Sequence, residues 1–168
     1  MDGLIWFEYK NQDDLKVIDI DSSKLEVIKV TDFDTHKTNI ELSIQKFNSQ
    51  IKWDDMWTLQ ESNERLSRNQ ILFLLLKDNS PIGHVWYIGE YLYNAFVSQE
   101  RNTGESQWFI QQTMSDRFKN GYDTITLYTE EWNIRAIKFW EKLGFGIIHK
   151  KDLIEHGRER IHQTQGND

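Results

Sequence analysis

The chain has 168 residues, a formal charge of −7 and no cysteine. The missing thiols exclude a disulfide framework, a cysteine nucleophile and a thiolate metal site. The acidic balance argues against a nucleic-acid partner, which selects a basic face, and fits a cationic substrate as well as ordinary solubility. The length suits one domain with a real core, and aromatic residues, seven of them Trp, supply bulky apolar surface for it. The longest apolar run, ILFLLL at residues 71–76, is far too short to span a bilayer. The opening MDGLIWFEYK has no long apolar h-region and is not expected to act as a signal peptide, and a cytoplasmic location without a membrane partner is the default expectation.

In chain order, residues 4–9, 15–20 and 25–30 read as three short strands. An acidic, His-containing turn, DFDTHK, leads to a helix over residues 38–49, with Ile40, Ile44 and Phe47 on one face. WDDMWTLQESNERL reads as a second helix with Met56, Leu59 and Leu66 inward. ILFLLL lacks alternation and reads as a strand buried on both faces. DNSP, which holds the only proline, Pro81, reads as a turn. Residues 82–88 and 91–97 are the next two strands, with a turn at Gly89–Glu90. A helix follows from Glu105 to about Lys119, with Ile110, Met114 and Phe118 on a face, stopped by Asn120 and Gly121. Residues 123–129 form a strand. The tail, residues 155–168, is polar, and residues 1–154 are expected to form a single domain.

Two segments carry more than architecture. In RNTGES, residues 101–106, a Gly-containing strand-to-helix turn leaves amide groups unpaired at a positive dipole end, which suits a phosphate or pyrophosphate. In NIRAIKFWEKLGF, residues 133–145, Asn133 can cap a helix, Ala136, Phe139, Trp140 and Leu143 share a face, and Gly144 can end the helix with a left-handed residue. Alone, the second segment is equally well a short capped helix packed on a sheet, and Gly104 an ordinary loop glycine. The five histidines show no metal-ligand spacing, so no metal is expected, and His84, inside a strand, reads as a hydrogen-bonded core residue.

The order and spacing of the two segments resemble the GNAT superfamily of N-acetyltransferases. Arg101 and Gly104, with Ser106 in the last glycine place, match its R/Q-x-x-G-x-G/A motif. Asn133, Ala136, Phe139, Leu143, Gly144 and Phe145 match its N-x-x-A-x-x-F-Y-x-x-L-G-F helix. The resemblance covers about half the chain. It implies an α/β fold with a mixed, mostly antiparallel central sheet, helices on both faces, and splayed parallel strands that form a coenzyme cleft. It implies acetyl transfer from acetyl-coenzyme A to a primary amine by direct attack, the acceptor a small molecule or a peptide and the protein a monomer or homodimer. By position, Asn94, Phe96 and Val97 would offer a backbone edge to the pantothenate arm. Arg101, Asn102, Thr103, Gly104, Glu105, Ser106 and Gln107 would hold the pyrophosphate, and Asn133 would orient the coenzyme near the thioester. Acceptor sites of the family fall on regions that correspond to residues 33–66 and the segment after Phe145, where Trp53, Asp54, Asp55 and Trp57 could line a pocket for a cation but read more readily as one exposed and one buried face of a helix.

The departures from the motif matter chemically. Asn102 replaces a glycine and can still take a left-handed backbone. Glu105 replaces an apolar residue, suits the helix dipole, and is expected to point away from a bound phosphate. Trp140 stands where many members keep a tyrosine that protonates the departing thiolate, and an indole N–H has no useful acidity. Tyr128 is then the first candidate for moving a proton, with Tyr93 and Glu90 in reserve. The alternative is a catalytically silent module that binds coenzyme A or a partner.

Overall fold

The structure is a computed structural model that describes residues 3–11, 15–50, 57–98 and 103–148. Its elements are β1 (Leu4–Lys10), β2 (Leu25–Val30), α1 (Phe33–Gln50), α2 (Leu59–Ser67), β3 (Ile71–Lys77), β4 (Ser80–Ile88), β5 (Tyr91–Val97), α3 (Glu105–Lys119), β6 (Thr124–Glu130), α4 (Ile134–Lys142) and β7 (Gly146–Ile148). They make a mixed α/β fold with a mostly antiparallel sheet. Two compact units divide the chain: residues 10–125, and residues 1–9 with 126–168.

In the larger unit β2, β3, β4 and β5 follow one another in that order, each pair antiparallel. The apolar run of β3 is buried from Leu72 to Leu76, as a strand covered on both faces must be. Leu72, Leu74 and Leu76 join Val30, Ile40, Ile44, Phe47, Trp57 and Trp86 in the core beneath α1 and α2. On the opposite face α3 buries Phe109, Ile110 and Met114, and Thr113 Oγ1 lies 2.8 Å from the hydroxyl of Tyr87. Both β3–β4 and β4–β5 carry a bulge. Ile82 is the extra residue in the first, between the Leu75–Gly83 and Leu76–Pro81 pairs. Tyr93 is the extra residue in the second, between Trp86–Asn94 and Tyr87–Leu92.

In the smaller unit β6, β1 and β7 follow in that order, with β1 and β7 antiparallel. Phe7, Leu127, Trp140, Leu143 and Phe145 are buried there. Gly144, at φ +96°, ends α4 left-handed, and a Cβ on it would meet Tyr9 Cε2 at 3.2 Å. Phe145 N–H then reaches back to the carbonyl of Trp140.

Four sequence expectations give way to local chemistry. The DFDTHK turn is the first turn of α1, whose start is capped by Asp32: its Oδ2 accepts from Thr35 N–H at 2.9 Å. The second helix starts only at Leu59, because Thr58 Oγ1 caps it by accepting from Glu61 N–H, and Trp57 is tied outside it by the side-chain amide of Asn48. Met56 lies outside the described residues. The turn into β4 is two residues long, Asp78 and Asn79, both left-handed, and Pro81 sits inside the strand beside the bulge, where its missing N–H costs no ladder bond. Residues 15–20 form no strand. Their backbone goes instead to Gln111, whose Oε1 accepts from Ile18 N–H at 2.9 Å and whose Nε2 donates to Lys16 O at 3.1 Å. The expected tail, residues 155–168, lies outside the described residues.

Gln111 is buried, so Gln111→Leu should strip two hydrogen bonds from the 15–20 segment and leave their backbone partners unpaired. The expected loss is about 1–3 kcal/mol by denaturant titration, with faster exchange of the Ile18 amide. Unchanged exchange at Ile18 would contradict the clamp.

Candidate functional site

The start of α3 is set by Gly104. Its backbone, at φ +75° and ψ 0°, is left-handed, and no side chain caps the helix from this position. A Cβ there would meet Ile18 Cδ1 at 3.2 Å and Ile20 Cγ2 at 3.3 Å, so the clamped 15–20 segment also closes one side of the turn. Trp108 is the first residue to bond back, to Gly104 O at 3.0 Å. The amides of the first turn, including those of Ser106 and Gln107, have no intrahelical carbonyl to reach and stand at the positive end of the helix. Glu105 N–H makes only a long contact, 3.4 Å, to Thr103 Oγ1. Arg101 and Asn102, the other expected phosphate-loop residues, lie outside the described residues.

The carboxylate of Glu105 is neutralised. Lys77 Nζ, at the end of β3, lies 2.8 Å from its Oε1, and both side chains are mostly buried. The anion-repelling group of the turn therefore carries its own counter-charge. Nothing in the sequence pointed to Lys77, because strand pairing brings it to Glu105 from 28 residues away.

Asn94, Phe96 and Val97 follow the Tyr93 bulge in β5. Bulges raise local twist and bend the strand that carries them. Gly83 faces Val97 across the ladder, and a Cβ on it would come within 2.8 Å of Phe96 O. Only glycine lets β4 approach β5 this closely. Asn94 turns its side chain to His84, whose Nε2 lies 2.7 Å from Asn94 Oδ1. The imidazole is buried among the rings of Trp57, Phe47 and Phe96, at centroid distances of 4.4, 5.2 and 5.7 Å. Burial pushes its pKa down to about 4, aided slightly by Arg65 and opposed by the Asn94 bond. His84 is thus a neutral, hydrogen-bonded core residue, as its strand position suggested.

Trp57 is buried in that same core, which fits a buried face rather than a cation pocket for this residue. Trp53, Asp54 and Asp55 lie outside the described residues. Tyr93 donates its hydroxyl to Gln70 Oε1 at 2.6 Å, under the guanidinium of Arg65, and burial pushes its pKa up to about 12. It is a poor proton acceptor or donor near neutrality. Among the described residues no group of three or more His, Asp or Glu side chains could hold a metal ion.

In the smaller unit Asn133 caps α4: its Oδ1 accepts from Ala136 N–H at 3.1 Å. Tyr128 is 42% exposed on β6, with its ring 5.0 Å from that of Trp6. Trp140 is buried between Phe139 and Phe145 and fills space rather than presenting a proton. Glu90 follows Gly89 in the turn between β4 and β5.

No family model matches the sequence, and no curated protein matches it. Solved structures do. The chain is similar to the aminoglycoside acetyltransferase meta-AAC0020 from an uncultured soil metagenomic sample, at 18% identity over 74% of this chain and 90% of that one, with a TM-score of 0.57. It is equally similar to the aminoglycoside N-acetyltransferase AAC(6')-Iy in complex with CoA, at 18% identity over 75% of this chain and 90% of that one, with a TM-score of 0.59. A GNAT-family acetyltransferase from Colwellia psychrerythraea matches 86% of this chain and 52% of its own, at 16% identity and a TM-score of 0.63. Likeness at such identities is likeness of fold, and the fold is that of the GNAT acetyltransferases.

His84 makes stability depend on pH. Its folded pKa of about 4 lies below the unfolded value of 6.5, so the unfolded chain takes the proton first. The contribution is complete above pH 6.5 and is lost as pH falls toward 4, by at most about 3 kcal/mol. Denaturant titrations from pH 7 to 4 should show this loss in the wild type and a smaller one in His84→Gln. Parallel curves would contradict a neutral, buried imidazole.

Proposed function

We propose that the protein is an N-acetyltransferase that moves acetyl from acetyl-coenzyme A to a primary amine. The observation that carries this is the left-handed, uncapped start of α3 at Gly104, on a fold whose relatives include a CoA complex. The first-turn amides over residues 103–107, with Arg101 and Asn102, hold the pyrophosphate by backbone donation and dipole. The edge of β5 at Asn94, Phe96 and Val97 receives the pantothenate arm as an added strand. Asn133 orients the coenzyme from the start of α4. Coenzyme A binding needs no metal here, since amides and Arg101 supply the positive potential. The acceptor is a small-molecule or peptide amine, a class consistent with the aminoglycoside acetyltransferases among the similar structures. Among the described residues no helix is long and apolar enough to cross a membrane. A single domain over residues 1–154, working in the cytoplasm as a monomer or homodimer, completes the proposal.

Transfer proceeds by direct attack. The neutral amine nitrogen bonds to the acetyl carbon, the carbon–sulfur bond breaks, and the proton that the nitrogen sheds ends on the departing thiolate. Tyr128 is the residue proposed to move or position that proton, its hydroxyl borne on an exposed side chain of β6. The burial of Trp140 in the usual tyrosine place supports a second reading, a silent module that binds coenzyme A without turnover.

Calorimetric titration with coenzyme A and steady-state transfer to a panel of amines separate the two. Gly104→Val is a blunt variant, since its φ and the close Ile18 and Ile20 strain any side chain there. The ion pair gives cleaner ones. Lys77→Met should uncover the Glu105 carboxylate and weaken coenzyme binding roughly tenfold, the equivalent of about 1.4 kcal/mol. Adding Glu105→Gln to it should restore the affinity. No difference among wild type, Lys77→Met and the double variant would remove the phosphates from this turn. Tyr128→Phe should lower turnover roughly 10²-fold at nearly constant coenzyme affinity. Full activity would take Tyr128 out of the mechanism, and binding without transfer to any amine would establish the silent module.

A further inference from the structure

We propose that His84 is a positioning residue that holds β5 in register beyond its bulge. The inference extends the reading of that strand as the coenzyme edge and rests on it for its functional meaning. The Tyr93 bulge puts two residues of β5 opposite one of β4, so pairing after it must be set anew. Hydrophobic alternation usually does this, because a slip of one residue exchanges the two faces of a strand. Here it cannot. The segment after the bulge is Asn94, Ala95, Phe96, Val97, in which three of four side chains are apolar and both faces would accept a slipped strand. The observed register pairs Trp86 with Asn94, Val85 with Ala95, His84 with Phe96 and Gly83 with Val97.

One polar bond distinguishes this register from its neighbours. His84 lies diagonally across the ladder from Asn94, and its Nε2–H donates to Asn94 Oδ1 at 2.7 Å. The ring cannot follow a moving strand. Its 1% exposure and the packing of Trp57 and Phe47 fix it from the α1 and α2 side. A slipped β5 would therefore leave a buried N–H without an acceptor, an arrangement that folded proteins avoid. Asn94 is the first residue past the bulge, so pinning it fixes everything downstream. Gly83 lets β4 approach the backbone of β5 closely at Phe96 O but does not choose the register, which leaves the His84–Asn94 bond to do so. His84 acts through Asn94 on the strand and touches no reacting atom.

The test is amide exchange in the coenzyme-free protein, read beside coenzyme A affinity. Asn94→Leu removes the acceptor at a half-buried position and leaves the aromatic core in place. Exchange at Ala95, Phe96 and Val97 should quicken by about tenfold relative to β3 amides, as local opening without global unfolding does. Coenzyme affinity should fall by a similar factor. His84→Gln, whose side-chain amide can still donate, should keep exchange close to the wild-type rate, whereas His84→Leu should match Asn94→Leu. Unchanged β5 exchange in Asn94→Leu would overturn the register role, as would equal exchange in His84→Gln and His84→Leu. Faster β5 exchange in a protein whose wild type binds no coenzyme A would uphold the register role and overturn only the coenzyme reading.

Discussion

The coenzyme reading of this chain depends on one backbone conformation, the left-handed residue at Gly104 that opens α3. A side chain there would be strained by φ alone and would press on Ile18 and Ile20. Without that residue the helix would start with an ordinary cap, and a side-chain oxygen would take up the amides that the glycine leaves available. The surrounding structure is arranged to keep the turn in place. Gln111, two turns into α3, reaches out to the backbone of the 15–20 segment, and that segment lies against the glycine. The helix thus holds down the strip of chain that shapes its own start.

Charge at the same turn is managed rather than minimised. A carboxylate at the first helical position favours the dipole, and Lys77 cancels its repulsion toward an incoming anion. An acidic protein can in this way keep a neutral-to-positive helix end without a basic surface. On the other face of the sheet the polar groups are handled differently. His84 is kept neutral by burial and donates its Nε2–H to Asn94, so β5 is fastened by a hydrogen bond from an uncharged ring.

The legible parts of the sequence were those whose boundaries are set by local chemistry. Strand β5 and helix α3 have the bounds read from sequence, because Gly89–Glu90, the Gly104 turn and Asn120–Gly121 punctuate them in the chain itself. The cap at Asn133 and the left-handed Gly144 were visible for the same reason. The illegible parts depend on partners far away in sequence. Residues 15–20 are rich in β-branched side chains and read as a strand, yet their hydrogen bonds go to a glutamine more than ninety residues on. Trp57 reads as part of the second helix, yet Asn48 holds its backbone outside that helix and its ring completes the core. The match to Glu105 could not be found by any local pattern, since Lys77 closes a strand that reads only as a buried apolar run.

The central claim is that the amides opening α3 receive the phosphates of acetyl-coenzyme A. Titration of the isotopically labelled protein with acetyl-coenzyme A, followed by backbone amide shifts, tests it most directly. The account expects saturable shifts concentrated at residues 103–107 and along β5 from Asn94 to Val97. Coenzyme binding that leaves the amides of Gly104 to Gln107 unmoved, or no binding at all, would contradict it.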